Sequence, residues 1–346
     1  MKILILGASY GSLLSTKLMM AGNDVTLVCR DQTAELINAE GTLVRMQLRR
    51  GQDFVEFHSN DLPGNVDAQT PEQVKVEDYD LVALAMQEPQ YGSASVKALM
   101  AKVAASKRPC LSIMNMPPLP FLRRIKELKD LDFSACYTDE EVWEAFEPSL
   151  MSLCSPDPQA FRPPHEGANV LQVGLASNFK ATSFASTEHN EMLRKLESDI
   201  AAVRIDGKRI PVKLSVYESL FVPMAKWSML LTGNYRCIMS EGEQPIRDAV
   251  HGDLELSRSI YTWVDDVAKK LGADASDQVP FTSYSKAAEN LLKPSSVARA
   301  VGGGAKNIER VDRLVQKIGD GLGMSHDAVN EVVKCVDGRL GRNLEA

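Results

Sequence analysis

The chain has 346 residues, of which 44% are hydrophobic and 25% are charged, and its formal net charge is −7. This length exceeds what one hydrophobic core usually fills, so we expect two folded domains and exclude a disordered chain. The negative charge argues against a nucleic-acid partner, because a phosphate backbone requires clustered Lys and Arg.

The first thirty residues predict a strand, a helix and a second strand. Residues 3–6 (ILIL) form a continuous apolar run, which is typical of a parallel strand covered on both faces. Leu13, Leu14 and Leu18 then recur at helical spacing, and residues 24–29 (DVTLVC) form a second β-branched run. A helix between two strands predicts a right-handed parallel crossover.

The following segments repeat this alternation. Residues 42–58 predict a hairpin that turns at 50–52, residues 80–86 and 110–114 predict buried strands, and residues 91–106 predict a helix. Strands that alternate with helices indicate a Rossmann-like, doubly wound α/β sheet.

The amino-acid composition changes after residue 114, where prolines become frequent. Eight prolines between residues 115 and 164 exclude long regular elements and predict loops that form a site wall or a surface excursion. Residues 170–175 and 211–214 predict strands again, and almost everything from Ser215 onward has a helical pattern. We therefore predict an α/β domain over residues 1–214 and an all-helical domain over residues 215–346.

The turn after the first strand has the position of a dinucleotide-binding turn. Two of the three glycines usual in such turns are replaced, by Ser9 and Ser12. In a turn one residue shorter than usual, Gly7 supplies the tight bend and Gly11 the close helix packing. Ser9 then lies nearest the pyrophosphate, which is held by backbone N–H groups of a turn that also includes Tyr10. The sequence predicts that these residues bind the cofactor.

Arg30 ends the second strand, where NAD enzymes usually carry an acidic residue. A cation at this position favours NADP, because it can pair with the 2′-phosphate. The alternative is an ordinary solvated arginine, and Asp31 follows directly. Arg162 and Lys180 are interpreted as surface charges, with the binding of an acidic substrate as the alternative.

The cysteines and the longest apolar segment bear on the compartment. The six cysteines are scattered, without a C-x-x-C pair or a histidine at ligand spacing, so we expect no metal site and a reduced, cytoplasmic protein. The best membrane-span candidate, residues 220–231, contains Pro223 and Lys226, so we expect no membrane association.

Together these stretches resemble the ketopantoate reductase (2-dehydropantoate 2-reductase) family, of which the chain looks like a divergent member. The matching residues are Gly7, Arg30, Asn115, Lys226, Asn234 and Ser296. The resemblance implies an NADPH site at the first and fourth strands and a substrate site in the cleft between two domains. It also implies that Asn115 lies near the nicotinamide, that Lys226 is the catalytic lysine and that Ser296 holds the substrate carboxylate.

Other positions depart from the family pattern. Gln87 replaces a lysine that contacts the cofactor, Met116 replaces the glycine after Asn115, and Leu230 replaces an asparagine four residues after the lysine. The expected acidic residue after Ser296 is supplied by Glu309 only through a small register shift. These changes argue against ketopantoate itself as the substrate more than against the fold.

The chemistry of the predicted site fits carbonyl reduction. Reduction needs a proton source for the developing alkoxide, and an apolar setting makes Lys226 a better acid by disfavouring its charged form. In a regular helix, Asn234 lies roughly 80° around the axis from Lys226, so both can face one cleft. The alternatives are a surface lysine, a helix-ending Asn234 and an N-capping Ser296.

We predict an NADPH-dependent oxidoreductase that reduces a small 2-oxo acid or related carbonyl compound. Lys226 and Asn115 are its catalytic residues, Gln87 joins the cofactor site, and Asn234, Ser296 and Glu309 bind substrate. An opine-type dehydrogenase that uses His251 to reduce an imine is one alternative. A non-catalytic NADP(H)-binding redox sensor is the other. A homodimer through the helical domain is also expected.

Overall fold

The computed structural model describes residues 1–49 and 51–346, and these residues form two compact units. The first unit consists of Met1–Met86, Gln90–Phe121 and Glu141–Glu218. The second consists of Gln87–Pro89, Leu122–Glu140 and Ser219–Ala346.

The first unit contains the strands. They are β1 (Lys2–Leu6), β2 (Asp24–Val28), β3 (Leu43–Gln47), β4 (Phe54–His58), β5 (Val66–Gln69), β6 (Leu81–Leu84), β7 (Cys110–Ile113), β8 (Met151–Ser155), β9 (Gln159–Phe161), β10 (Val170–Leu175), β11 (Phe179–Thr182), β12 (Arg204–Ile205), β13 (Lys208–Arg209) and β14 (Leu214–Tyr217). Within the described residues, eight of them form one sheet in the order β14-β11-β8-β7-β6-β1-β2-β5. The six strands from β8 to β5 run parallel, whereas β11 is antiparallel to β8.

The helices of the first unit cover this sheet. They are α1 (Gly11–Met20), α2 (Asp31–Glu40), α3 (Ala94–Ser106), α4 (Leu119–Leu122, whose last residue belongs to the second unit), α5 (Glu141–Glu144) and α6 (Thr187–Ala202). Every residue of α1 is buried, because the helix packs between the sheet, β3 and α6. The helix predicted from residue 91 begins at Ala94, after a 3₁₀ turn at Glu88–Gly92 that contains Pro89.

A second sheet has the order β4-β3-β10-β9. The hairpin expected over residues 42–58 is present as the antiparallel pair of β3 and β4, and Arg50 of its predicted turn lies outside the described residues. Strand β10 joins β3 in parallel, a pairing that sequence periodicity does not reveal.

The proline-rich stretch contains short helices, as its composition predicts, but it also contains the buried strand β8. We did not predict this strand, because serines interrupt its apolar pattern. Ser152 is nevertheless satisfied inside the sheet, where its Oγ donates to the carbonyl oxygen of Thr182 at 2.6 Å, and Ser155 Oγ donates to Asp157 Oδ1 just beyond the strand.

The last strand begins later than expected. The sequence predicts a strand over residues 211–214, whereas β14 starts at Leu214 and continues to Tyr217. Pro211 has no amide hydrogen, and Val212 adopts φ +63°, a conformation in which a β-branched residue cannot extend a strand.

The second unit is built from helices. They are α7 (Lys226–Met229), α8 (Ile246–His251), α9 (Leu254–Lys270), α10 (Phe281–Ala288), α11 (Ser296–Gly302), α12 (Val311–Gly321) and α13 (Asp327–Glu345). Asp253 caps α9 by accepting the amide hydrogen of Leu256. The predicted fold class, a doubly wound sheet followed by a helical region, is confirmed.

Two further observations concern the whole described chain. None of its helices combines the length and the apolarity needed to cross a bilayer. The six cysteines are free thiols.

Candidate functional site

The carboxyl end of β1 is the point at which the strand order reverses. The chain continues from β1 to β2 on one side and returns to β6 on the other, and both neighbours are parallel to β1. In open α/β sheets, ligands bind outside the carboxyl ends of the strands at such a switch point. Gly7 follows β1 directly, so the predicted turn lies at this position.

The two glycines of the turn lie in positions that exclude a side chain. Gly7 adopts φ +108°, and a Cβ there would lie 2.7 Å from the carbonyl oxygen of Ala85. A Cβ on Gly11 would lie 2.6 Å from Cγ2 of Ile5, which is on the underlying strand. Gly7 therefore permits the tight bend and Gly11 the close packing of α1 on β1, the two functions the shortened turn requires.

Backbone amides are available at the turn. Among the described residues, the N–H groups of residues 8–11 have no acceptor within the protein. Ser9 is exposed at the tip, and Ser12 Oγ donates to the carbonyl oxygen of Ala8, which fixes the loop from inside. Unpaired N–H groups before a helix favour an anion.

The side chain of Tyr10 points into the first unit. Its hydroxyl donates to the carbonyl oxygen of Pro158, and its ring contacts Phe179 edge-on. Burial raises the pKa of this hydroxyl, with Cys154 and Asp157 adding to the effect. The side chain is therefore committed to the unit's interior, so only the backbone N–H of Tyr10 remains available at the turn.

Arg30 immediately precedes α2 and is exposed. Its side chain makes no hydrogen bond or ion pair with any other residue of the described ranges. It is the first residue after Cys29, which follows β2, so its guanidinium is carried at the carboxyl end of that strand.

Asn115 and Gln87 follow two other strands of the sheet. Asn115 lies two residues beyond β7 and is half-buried between Met114 and Met116, which are 2% and 0% exposed. Gln87 lies three residues beyond β6 and groups with the second unit.

The segment around Lys226 is not the regular helix assumed from its sequence. A 3₁₀ turn (Val222–Ala225) leads into α7, a π-helical turn (Leu230–Asn234) follows, and a 3₁₀ turn (Tyr235–Cys237) ends the segment. The predicted 80° angle between Lys226 and Asn234 was therefore wrong in its premise. A π turn is wider than an α turn and advances less around the axis with each residue. Lys226 is half-buried, and Trp227 beside it is 1% exposed.

Hydrogen bonds connect the π turn to two other predicted substrate residues. Ser295 Oγ donates to the carbonyl oxygen of Asn234 at 2.7 Å, which fixes the start of α11 and hence Ser296. Tyr235 Oη donates to the carbonyl oxygen of Glu309 and accepts the amide hydrogen of Val311 at 3.1 Å. Within the second unit, Ser296 and Glu309 therefore both lie next to the segment that contains Asn234 and Tyr235.

Sequence reasoning missed the residues that hold this arrangement. Ser295, not Ser296, is the N-cap of α11, and it accepts the amide hydrogen of Ala298. Tyr235 is 3% exposed, and the only sequence feature that could have indicated its role is its position directly after Asn234. The π turn had a weak signal in Thr232 and Gly233, two poor helix formers.

Glu88 is a further buried acid of the second unit that the sequence analysis overlooked. It accepts from the amide of Thr138 at 3.0 Å and from its hydroxyl at 2.9 Å, and its own amide faces Glu309 Oε1 at 3.4 Å. Burial raises the pKa of Glu88, although the bonds from Thr138 oppose that change. Glu309, whose carboxylate faces the backbone amide of Glu88, is itself 9% exposed.

His251, the candidate acid-base residue of the alternative reaction, lies at the end of α8. Its Nε2 lies 3.0 Å from the carbonyl oxygen of Ser285. This contact connects α8 with α10, as expected of a histidine with a structural role.

No protein-family model matches the chain, and no curated protein matches it significantly. Solved structures match it along its whole length. The 2-dehydropantoate 2-reductase of Methylococcus capsulatus is 14% identical, with 100% of this chain and 99% of that chain covered and a TM-score of 0.68. A ternary structure of D-mandelate dehydrogenase with NADH and anilino(oxo)acetate is 14% identical, with 99% of both chains covered and a TM-score of 0.65.

A third match is the dimeric ketopantoate reductase of Staphylococcus aureus. It is 9% identical, with 99% of this chain and 100% of that chain covered and a TM-score of 0.62. These likenesses confirm the resemblance to the ketopantoate reductase fold, at identities that carry the fold and not the activity.

Proposed function

We propose that this protein is an NADPH-dependent oxidoreductase that reduces a small 2-oxo acid or a related carbonyl compound. The observation that carries the proposal is the glycine turn at the switch point of the sheet, with unpaired N–H groups at residues 8–11. The neighbours named above add support, since they are reductases of 2-dehydropantoate and a mandelate dehydrogenase bound to NADH and an oxo acid.

The residues of the turn fit a dinucleotide. A Cβ on Gly7 would collide with Ala85 and one on Gly11 with Ile5, so both glycines are required for the turn to form. The amides of residues 8–11 are the donors that a pyrophosphate requires. Arg30 would face the 2′-phosphate, while Gln87 and Asn115 would contact the nicotinamide half. Residues 1–214 are accordingly assigned to cofactor binding, and residues 215–346 to substrate binding and dimerisation.

When bound, the nicotinamide would supply the hydride needed to reduce the substrate carbonyl. Lys226 donates a proton to the developing alkoxide, a step that its half-buried position beside Trp227 favours. Asn115 orients the reacting groups through its amide, and Ser296 holds the carboxylate. Asn234 and Glu309 bind the remaining polar atoms of the substrate.

Leu230 and Met116 bear on the choice of substrate. Leu230 is 6% exposed and occupies the position of a family asparagine, and Met116 is fully buried where the family has glycine. Leu230 thus places an apolar side chain where the family has a polar one, and Met116 places one where the family has no side chain. We therefore propose a 2-oxo acid other than ketopantoate.

The test is a screen of NADPH and NADH oxidation, followed by absorbance, against a panel of 2-oxo acids with and without amines. Consumption of NADPH with an oxo acid alone supports the proposal. Activity only with an added amino acid would instead indicate the opine-type reaction. Binding of NADPH without any consumption would indicate a redox sensor.

The oligomeric state and the cellular location are also part of this proposal. A homodimer is suggested by the dimeric neighbour and is tested by light scattering of the purified protein. A cytoplasmic location is suggested by the six free thiols, because a reducing compartment preserves them.

A further inference from the structure

The segment that connects β8, β9 and β10 lies beside the glycine turn. Pro158 accepts the hydrogen bond from Tyr10 Oη one residue before β9 begins. Arg162 follows β9 directly, four residues after this anchor. From its sequence position alone, Arg162 is expected to be a surface charge.

The same segment is anchored to α2 on the other side of Arg162. A Cβ built on Gly167 would lie 3.6 Å from Cδ2 of Leu36, a residue of α2. Asn169 Nδ2 donates to the carbonyl oxygen of Gly41, at the end of α2, at 2.9 Å. Because it is held at both ends, the segment keeps Arg162 in a defined position between these two anchors.

Arg162 also interacts with the two residues that follow β2. Partial desolvation of its side chain and the neighbouring guanidinium of Arg30 hold the pKa of Arg162 below its usual value. Burial raises the pKa of the Cys29 thiol to about 11, and the positive charge of Arg162 opposes that rise. Cys29 and Arg30 are thus both within electrostatic reach of this guanidinium.

No carboxylate of the described chain forms an ion pair with either arginine. Both residues are exposed, so an anion from solution can reach them. Two unpaired guanidinium groups repel each other, and a phosphate between them removes that cost while accepting charge-assisted hydrogen bonds. A bound anion would therefore stabilise this arrangement.

We propose that Arg162 joins Arg30 in binding the 2′-phosphate of NADPH and thereby sets the preference for NADPH over NADH. The position identifies the anion, because the adenosine ribose lies at the end of the second strand in dinucleotide-binding sheets. This inference rests on the proposed function. It adds to Arg30 a second cation at the proposed 2′-phosphate site, and this cation comes from outside the first strand-helix-strand unit.

The test compares the dissociation constants of NADPH and NADH for the wild-type protein and for Arg162→Ala, measured by fluorescence titration. Arg209→Ala is the matched control, since it removes the same charge from the exposed strand β13. We expect Arg162→Ala to weaken NADPH binding about tenfold or more and to leave NADH binding within about twofold. Competition by 2′-AMP should weaken in parallel, and competition by 5′-AMP should not.

The outcomes separate this inference from the function it rests on. Equal losses for NADPH and NADH, or no loss for NADPH, would overturn the role of Arg162 and leave the reductase proposal intact. If the wild-type protein binds neither dinucleotide, both proposals fail. Arg162→Lys, which keeps the charge but loses the planar fork, should fall between the wild type and the alanine variant.

Discussion

Ser295 and Asn234 are joined by a hydrogen bond of 2.7 Å from the serine hydroxyl to the asparagine carbonyl oxygen. The same hydroxyl accepts the amide hydrogen of Ala298 and so caps α11. Ser296, the next residue, is exposed. One serine therefore fixes the position of the segment, and the other remains free to meet a ligand.

This division of roles predicts different effects for the two serines. Ser295→Ala should lower the free energy of unfolding by about 1–2 kcal/mol, because a cap and a buried hydrogen bond are lost. Ser296→Ala should change stability by less than about 0.5 kcal/mol but raise KM for the oxo acid. Urea denaturation and steady-state kinetics measure the two effects, and an unchanged KM in Ser296→Ala would contradict its proposed contact.

Lys226→Ala tests the proposed proton donor. Turnover should fall by about 10²-fold or more, since general acid catalysis contributes at least that much, while the dissociation constant of NADPH stays the same. Lys269→Ala is the control, because Lys269 pairs with Asp266 on the exposed face of α9. Turnover that survives in Lys226→Ala would remove this lysine from the mechanism.

Gly11→Ala should weaken dinucleotide binding and stability together. Its Cβ would meet Ile5 Cγ2 at 2.6 Å, so α1 must move away from β1 and carry the turn with it. Gly338→Ala in α13 is the opposite case, because no atom lies within 4 Å of its Cβ, and it should stabilise by about 1 kcal/mol. Thermal unfolding and NADPH titration distinguish the two, and a Gly11→Ala protein with unchanged affinity would contradict the packing argument.

Lys17 gives stability a pH dependence. The side chain is 1% exposed and donates to the carbonyl oxygen of Pro211 at 3.0 Å. Burial, with a smaller contribution from Lys213, lowers its pKa from 10.5 to about 7. Between these two values the unfolded chain binds more protons than the folded one, so the free energy of unfolding rises as pH increases from 7 to 10.

The corresponding variant is Lys17→Met. It should flatten the pH dependence of unfolding by up to about 1.4 kcal/mol per pH unit in that window. Lys208→Met, on the exposed strand β13, should leave the slope unchanged. Equal slopes in the wild type and Lys17→Met, measured by urea denaturation, would show that Lys17 does not titrate there.

The parallel core of the sheet and the helical second half could be predicted from periodicity alone. Continuous apolar runs such as residues 3–6 and 81–84 have no interpretation other than buried strands or buried helices, and their length and neighbours decide between the two. Gly7 and Gly11 were recognisable because their roles follow from local backbone geometry.

Features that depend on distant partners could not be predicted. Strand β8 contains Ser152, whose hydroxyl is satisfied by the neighbouring strand β11, and β10 pairs with β3 across more than a hundred residues. Ser295 and Tyr235 donate to the backbone carbonyl groups of Asn234 and Glu309. Every residue has such a carbonyl group, so the identity of the acceptor residue does not reveal the bond. Spacing arguments also failed at Leu230–Asn234, where the helix is not α-helical.

A π turn accommodates one residue more than an α turn, so Leu230–Asn234 separates two helical frames. Lys226 belongs to the frame before the turn, and Tyr235 to the frame after it. In a relative without this extra residue, the equivalent of Asn234 would stand one position earlier relative to the lysine. A change in the length of this turn would therefore alter the sequence spacing between Lys226 and the residues after the turn while leaving the helical segment continuous.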